Sequence, residues 1–152
     1  MISQSAEYAL RAMVVLLEED PPVFCSSHDV AARAKVPVDY MSKILNCLVR
    51  AGLVSSQRGR NGGCKSSRSA SQVSVLDVVQ AVDPIRRILT CPLGLKSHGT
   101  HLCPLHRKLD DAARTVEEAF ASTTLADLLA TPTRSKPLCE KGELYSVQAT
   151  CS

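Results

Sequence analysis

Between residues 91 and 106 the chain reads CPLGLKSHGTHLCPLH, a stretch holding two of its seven cysteines and three of its four histidines. Cys91, His98, His101, Cys103 and His106 are thus five soft or borderline metal donors within sixteen residues. Thiolates and imidazoles suit zinc, copper or iron–sulfur iron, whereas calcium and magnesium want oxygen. Pro104 is well placed to open a helix. Cys103 would then sit at the positive end of that helix, which favours the thiolate as a ligand. Pro92 makes a stiff turn beside Cys91, with little room for a buried thiol. His106 falls in the first turn of the same helix and can reach back over its start. His98 and His101 are loop alternatives, and His28 is a further one. Two cysteines with two of these histidines would equally make a tetrahedral zinc site. A third reading leaves the cysteines metal-free, as oxidant-sensing thiols. Cys25, Cys47 and Cys64 lie outside the donor-rich stretch, and Cys139 and Cys151 fall near the C-terminus.

The elements that must position these donors follow from periodicity and punctuation. Residues 3–19 predict an amphipathic helix with Ala6, Ala9, Leu10, Met13, Val14 and Leu17 on one face, stopped by Asp20-Pro21-Pro22. Ser26 or Ser27 can cap a second, short helix that turns inward Val30, Ala31 and Ala34. After the turn at Lys35-Val36-Pro37, a third helix over 38–51 buries Met41, Ile44, Leu45, Leu48 and Val49, with Gly52 as its stop. Leu53 to Ser56 reads as a strand, Arg58-Gly59-Arg60-Asn61-Gly62-Gly63 as a turn, and Cys64 onward as the return strand. Residues 74–82 form a fourth helix ended by Asp83-Pro84. Pro104 opens a long helix to about Ser122, striped by Leu105, Leu109, Ala112, Ala113, Val116 and Phe120. A short helix over 124–130 closes the ordered part, and residues 131–152 read as a flexible tail.

Two short helices joined by a tight turn, then a basic hairpin, is the order of a winged helix-turn-helix. The fold class is therefore mainly α with a small β wing, extended by a long C-terminal helix. The second helix of such a pair enters the major groove with its N-terminal residues, here Val38, Asp39, Tyr40, Ser42 and Lys43. The turn at the wing tip offers Arg58, Arg60 and Asn61 to a minor groove or to phosphate. Charge agrees. From Arg33 to Arg68 there are eight basic residues against one acid, so this segment carries +7 of a net +3 and leaves −4 for the remainder. One sign concentrated in this way is the footprint of a phosphate-binding face. The long helix has little core of its own to cover, which implies a partner subunit. A two-fold dimer would match two-fold double-stranded DNA sites.

Four divisions result: a DNA-binding domain over 1–83, a metal-binding loop over 84–103, a dimerisation helix with a short final helix over 104–130, and the tail. The longest apolar run, Ala12 to Leu17, is far too short to span a bilayer. The N-terminal residues show no basic-then-apolar signal, and with no Cys-x-x-Cys pair the cysteines read as cytoplasmic thiols or ligands. No nucleophile–base spacing or phosphate-cradling glycine loop stands out, so an enzyme with a small-molecule substrate is not expected.

Particular residues add a family resemblance. Tyr8-Ala9-Leu10-Arg11-Ala12-Met13, Tyr40-Met41-Ser42-Lys43-Ile44-Leu45, Gly52 to Gly59 with Gly62-Gly63, and Val78 to Asp83 occur in an order and spacing that resemble the bacterial iron–sulfur-cluster winged-helix regulators. The resemblance covers about residues 1–130. It implies a homodimer that holds a cluster in the loop before the long helix, and DNA affinity controlled by that cluster in response to redox state, nitric oxide or iron–sulfur status. The family's loop pattern places Cys91 in its first cysteine slot, Cys103 in its third and His106 in its histidine slot, while the middle slot here is Ser97. Some members complete the cluster with an acid near the start of the first helix, donated by the other subunit, and Glu7 stands at that position. A subset with a [2Fe–2S] cluster takes a histidine near the end of the second helix, where this chain has Ala34. The ligand set implied for a [2Fe–2S] cluster is thus Cys91, Cys103, Glu7 and a histidine, with His106 first among the candidates.

Overall fold

A computed structural model describes residues 2–18, 21–98 and 101–130. The order of elements is α1 (Gln4–Leu17), α2 (Ser27–Ala34), α3 (Val38–Arg50), β1 (Val54–Gln57), β2 (Gly63–Ser66), α4 (Val75–Val82), α5 (Pro104–Ala121) and α6 (Leu125–Ala130), with single turns of 3-10 helix at Ala70–Gln72 and Lys96–His98. The fold is a winged helix-turn-helix followed by a long helix, and the predicted tail lies outside the described residues. Among the described residues no helix is long and apolar enough to cross a membrane.

Local chemistry sets the boundaries. Ser3 caps α1 by accepting from the Ala6 amide, and Ser26 caps α2 by accepting from Asp29. Lys35 ends α2 in the left-handed region at φ 54° and ψ 49°, which turns the chain tightly into α3. Ser74 and Asp77 form a reciprocal capping box that starts α4. Cys103 is the N-cap of α5, and Pro104 occupies its first turn.

α1 packs against α2, α3 and α4 at once, which changes its expected face. Ala12, Val15 and Leu16 are buried with Ala6, Ala9, Met13 and Val14, while Leu10 and Leu17 are only half-buried. A helix enclosed on several sides buries more than one stripe. In α3 the stripe is Met41, Ile44, Leu45 and Leu48, with Val49 half-buried.

β1 and β2 pair antiparallel, with Val54 opposite Ser66 and Gln57 opposite Gly63. Cys25 extends this sheet by one residue: its amide donates to the Cys64 carbonyl at 2.9 Å, and the Cys64 amide donates back at 2.7 Å. That third segment comes so close that a Cβ on Gly63 would lie 2.3 Å from the Cys25 carbonyl oxygen; within the turn itself, one on Gly62 would lie 2.2 Å from the Gln57 carbonyl oxygen. Only glycine fits at either position. After α5 the chain is clipped back to the start of α4. The Leu125 amide donates to the Val73 carbonyl and the Val75 amide to that of Thr123. Leu125 and Val73 are both fully buried, so α6 is anchored to the winged domain.

Candidate nucleic-acid interface and metal-binding loop

The start of α3 is built to be seen. Val38, Asp39, Tyr40, Ser42 and Lys43 are all exposed, while Met41 and Ile44 between them are buried and fix the helix against the core. Arg58, Arg60 and Asn61 are exposed at the tip of the hairpin. The structure therefore places all eight nucleic-acid candidates at the surface, on α3 and on the tip of the hairpin.

Tyr40 is positioned by α1. Its hydroxyl is 2.7 Å from the Ser5 hydroxyl, and its ring meets that of Tyr8 edge-on, with centroids 5.7 Å apart and planes at 81°. Tyr8 in turn accepts a hydrogen bond from Gln4, and the Arg11 guanidinium stacks 5.6 Å from its ring centre. Arg11 also pairs with Glu7, a carboxylate about half exposed. Glu7 and the first turn of α3 are therefore linked through Arg11 and Tyr8.

The donor loop is less gathered than its sequence. Cys103 Sγ and His106 Nδ1 are 3.3 Å apart, both half-buried on the first turn of α5. Cys91 is half-buried in a turn closed by the Gly94 amide donating to its carbonyl at 3.0 Å. His101 is exposed, and the side chain of His98 lies outside the described residues. Ala34, where the resemblance would put a histidine, is fully buried and offers no donor atom; His28 is exposed on α2. Among the described residues no three His, Cys, Asp or Glu side chains come together closely enough to hold a metal ion. The sulfur and imidazole donors fit iron–sulfur or zinc chemistry, and one chain brings Cys103 and His106 into contact.

A clamp that the sequence does not announce fixes the near side of this loop. The Arg87 guanidinium forks onto both carboxylate oxygens of Asp110 at 2.7 Å and reaches Glu117 at 3.4 Å. The Ile88 amide donates to the same Asp110 carboxylate at 2.8 Å. These bonds, the guanidinium's first, hold the Asp110 carboxyl down to about 2. Gln80 of α4 also donates to Glu117. The segment leading to Cys91 is thereby tied to the helix that carries Cys103. Its only sequence signal is an arginine between a helix end and a loop, which points to no particular partner.

α5 itself buries no residue fully in the single chain. Leu105 and Leu109 are 65% and 50% exposed, and Leu89 and Leu93 in the loop are 75% and 72% exposed. These leucines are left uncovered in the single chain.

Comparison with known proteins agrees with this architecture. A family model described as Rrf2, iron-dependent transcriptional regulator, matches residues 2–131. CymR (YrzC), the global cysteine regulator of B. subtilis, is 25% identical with a TM-score of 0.67, covering 84% of this chain and 95% of that one. IscR of T. potens is also 25% identical with a TM-score of 0.67, covering 85% of each chain. The oxidized form of Staphylococcus aureus CymR shares the fold at 23% identity, with a TM-score of 0.63 over 84% of this chain and 94% of that one.

Proposed function

The chain belongs to the Rrf2 family of iron-dependent transcriptional regulators, and on that premise we propose that it is a homodimeric regulator whose affinity for double-stranded DNA is set by a [2Fe–2S] cluster. The observation that carries this reading is the contact of Cys103 with His106 at the start of α5, where the long helix leaves its apolar side uncovered. Cys91 and Cys103 would supply two sulfur ligands and His106 a nitrogen. Glu7 from a second copy would supply an oxygen, exchanging its ion pair with Arg11 for iron. Bound there, the cluster supplies one-electron chemistry at a potential that histidine ligation raises relative to four cysteines.

The rest is done by the protein. Leu105 and Leu109 pair the subunits, and the Arg87–Asp110 clamp keeps the loop against α5. The Glu7–Arg11–Tyr8–Tyr40 series passes a change at the ligand to the helix that reads DNA. A coupling of about 1–3 kcal/mol through this series shifts binding several-fold to a hundredfold. The test is an anaerobic titration of a fluorescent promoter duplex with metal-loaded and chelator-treated protein. A difference of at least several-fold supports the reading, and identical curves oppose it.

A second reading rests on the same contact of Cys103 with His106. In it, Cys103 beside His106 acts as an oxidant-sensing thiol on the same DNA-binding scaffold. A zinc site from the same loop is distinguished from both by elemental analysis.

A further inference from the structure

We propose that the cleft at the base of the wing binds a small organic anion, a carboxylate or phosphate on a short apolar body. The cavity measures about 560 Å³, within the range of small-molecule sites. Its apolar lining is Leu17 at the end of α1, Pro21, Pro22 and Ala70. Its polar and basic lining includes Ser55 and Lys65, opposite each other across the hairpin, with Ser67 and Arg68.

No carboxylate is present among the described lining residues. The Lys65 ammonium lies 4.6 Å from the centre of the Phe24 ring rather than on an acid. Arg68 is exposed and in no ion pair among the described residues. The Ser55 and Ser67 hydroxyls are 2.7 Å apart; one O–H is used between them, which leaves the other as a donor. Among the described lining residues, the Arg68 guanidinium, the Lys65 side chain and a serine hydroxyl occur with no protein anion, the complement of a carboxylate or phosphate.

The polar lining is also held in shape. Ser66, 4% exposed, donates to the Arg68 carbonyl at 2.7 Å, and the Ser69–Gln72 capping box fixes the next turn. A site of this kind does not have to be ordered by its ligand. No residue of α3 and none of the wing tip lines the cavity, although Lys65 and Arg68 belong to the basic segment counted above, so a duplex is the competing occupant that the test must separate. The site does not depend on a metal in the loop.

The test is a titration of the isotope-labelled full chain with hexanoate, followed by amide NMR shifts in the absence of DNA. Hexanamide, of equal length without the charge, serves as the comparison. Hexanoate should saturably move the amides of Ser67, Arg68, Ser69 and Gln72, and hexanamide should bind about tenfold more weakly. Arg68→Gln should cost about tenfold, through removal of one charge-assisted hydrogen bond, and Ala70→Leu should fill the apolar side and abolish binding. The unchanged remainder of each spectrum reports that the variant is folded. The proposal is overturned if hexanoate gives no saturable shift, if hexanamide matches it, or if both variants bind as the wild type does. It is equally overturned if these amides move only when a DNA duplex is added, which would make the cleft a contact for DNA phosphate.

Discussion

The ring of Tyr8 rests edge-on against the ring of Tyr40, 5.7 Å between centroids, and so joins the helix bearing Glu7 to the first turn of α3. Replacing Tyr8 by alanine removes this ring pair from a half-buried position. DNA binding by the variant should persist, but the affinity difference between metal-loaded and metal-free protein should shrink towards none, a decrease of up to about 1–3 kcal/mol of coupling. Tyr40→Phe keeps the ring and gives up only the bond to Ser5, so it should retain most of that difference. Paired duplex titrations of both variants decide the matter.

Lys43 and Arg58 should act through phosphate. Changing either to glutamine should weaken binding to all duplexes alike, and should flatten the plot of log affinity against log salt by about one for each phosphate no longer neutralised. An unchanged slope with altered sequence preference would instead identify base readout.

Leu105 and Leu109 stand uncovered on α5. A glutamate at either should leave the winged domain folded, because neither side chain belongs to its core. It should also shift the protein from dimer to monomer, since each buried leucine contributes about 1.5–3 kcal/mol. Sedimentation equilibrium reads the mass directly.

Asp110 carries a signed pH dependence. Its carboxyl is held at about 2 by the Arg87 guanidinium and the Ile88 amide, against an ordinary value of about 3.9 when unfolded. A depressed folded value means that its stabilisation is complete above about pH 4 and is lost as pH falls from there through about 2. Thermal unfolding of metal-free wild type and Asp110→Ala should therefore differ most above pH 4 and converge towards pH 2. Hydrogen exchange at Ile88 should be faster in the variant.

Much of the fold is legible in the sequence because the signals are local. Ser26, Ser74 and Pro104 start helices by satisfying or removing orphan N–H groups, and the glycines at 62 and 63 mark where the wing backbone comes closest to its neighbours. The unbroken apolar run from Ala12 to Leu17 holds the clue that α1 is enclosed on several sides, but a one-face reading passes over Ala12, Val15 and Leu16. The Arg87–Asp110 clamp is not legible, because it spans 23 residues and a forked ion pair leaves no periodicity. Leu125 as a core residue is hidden for a similar reason: its burial depends on pairing with Val73 across the whole loop and α5. In the donor-rich loop the donor types can be read, whereas their assembly cannot. Among the described residues Cys103 and His106 are in contact, but no group of three such donors forms.

The most direct measurement is iron content and visible absorption of anaerobically purified protein, wild type beside Cys91→Ala, Glu7→Ala and His106→Ala. A [2Fe–2S] regulator should hold about two iron atoms per subunit and show a coloured charge-transfer band, abolished in Cys91→Ala and weakened or shifted in the other two. A colourless wild type without iron, or one loaded with zinc, would contradict the cluster.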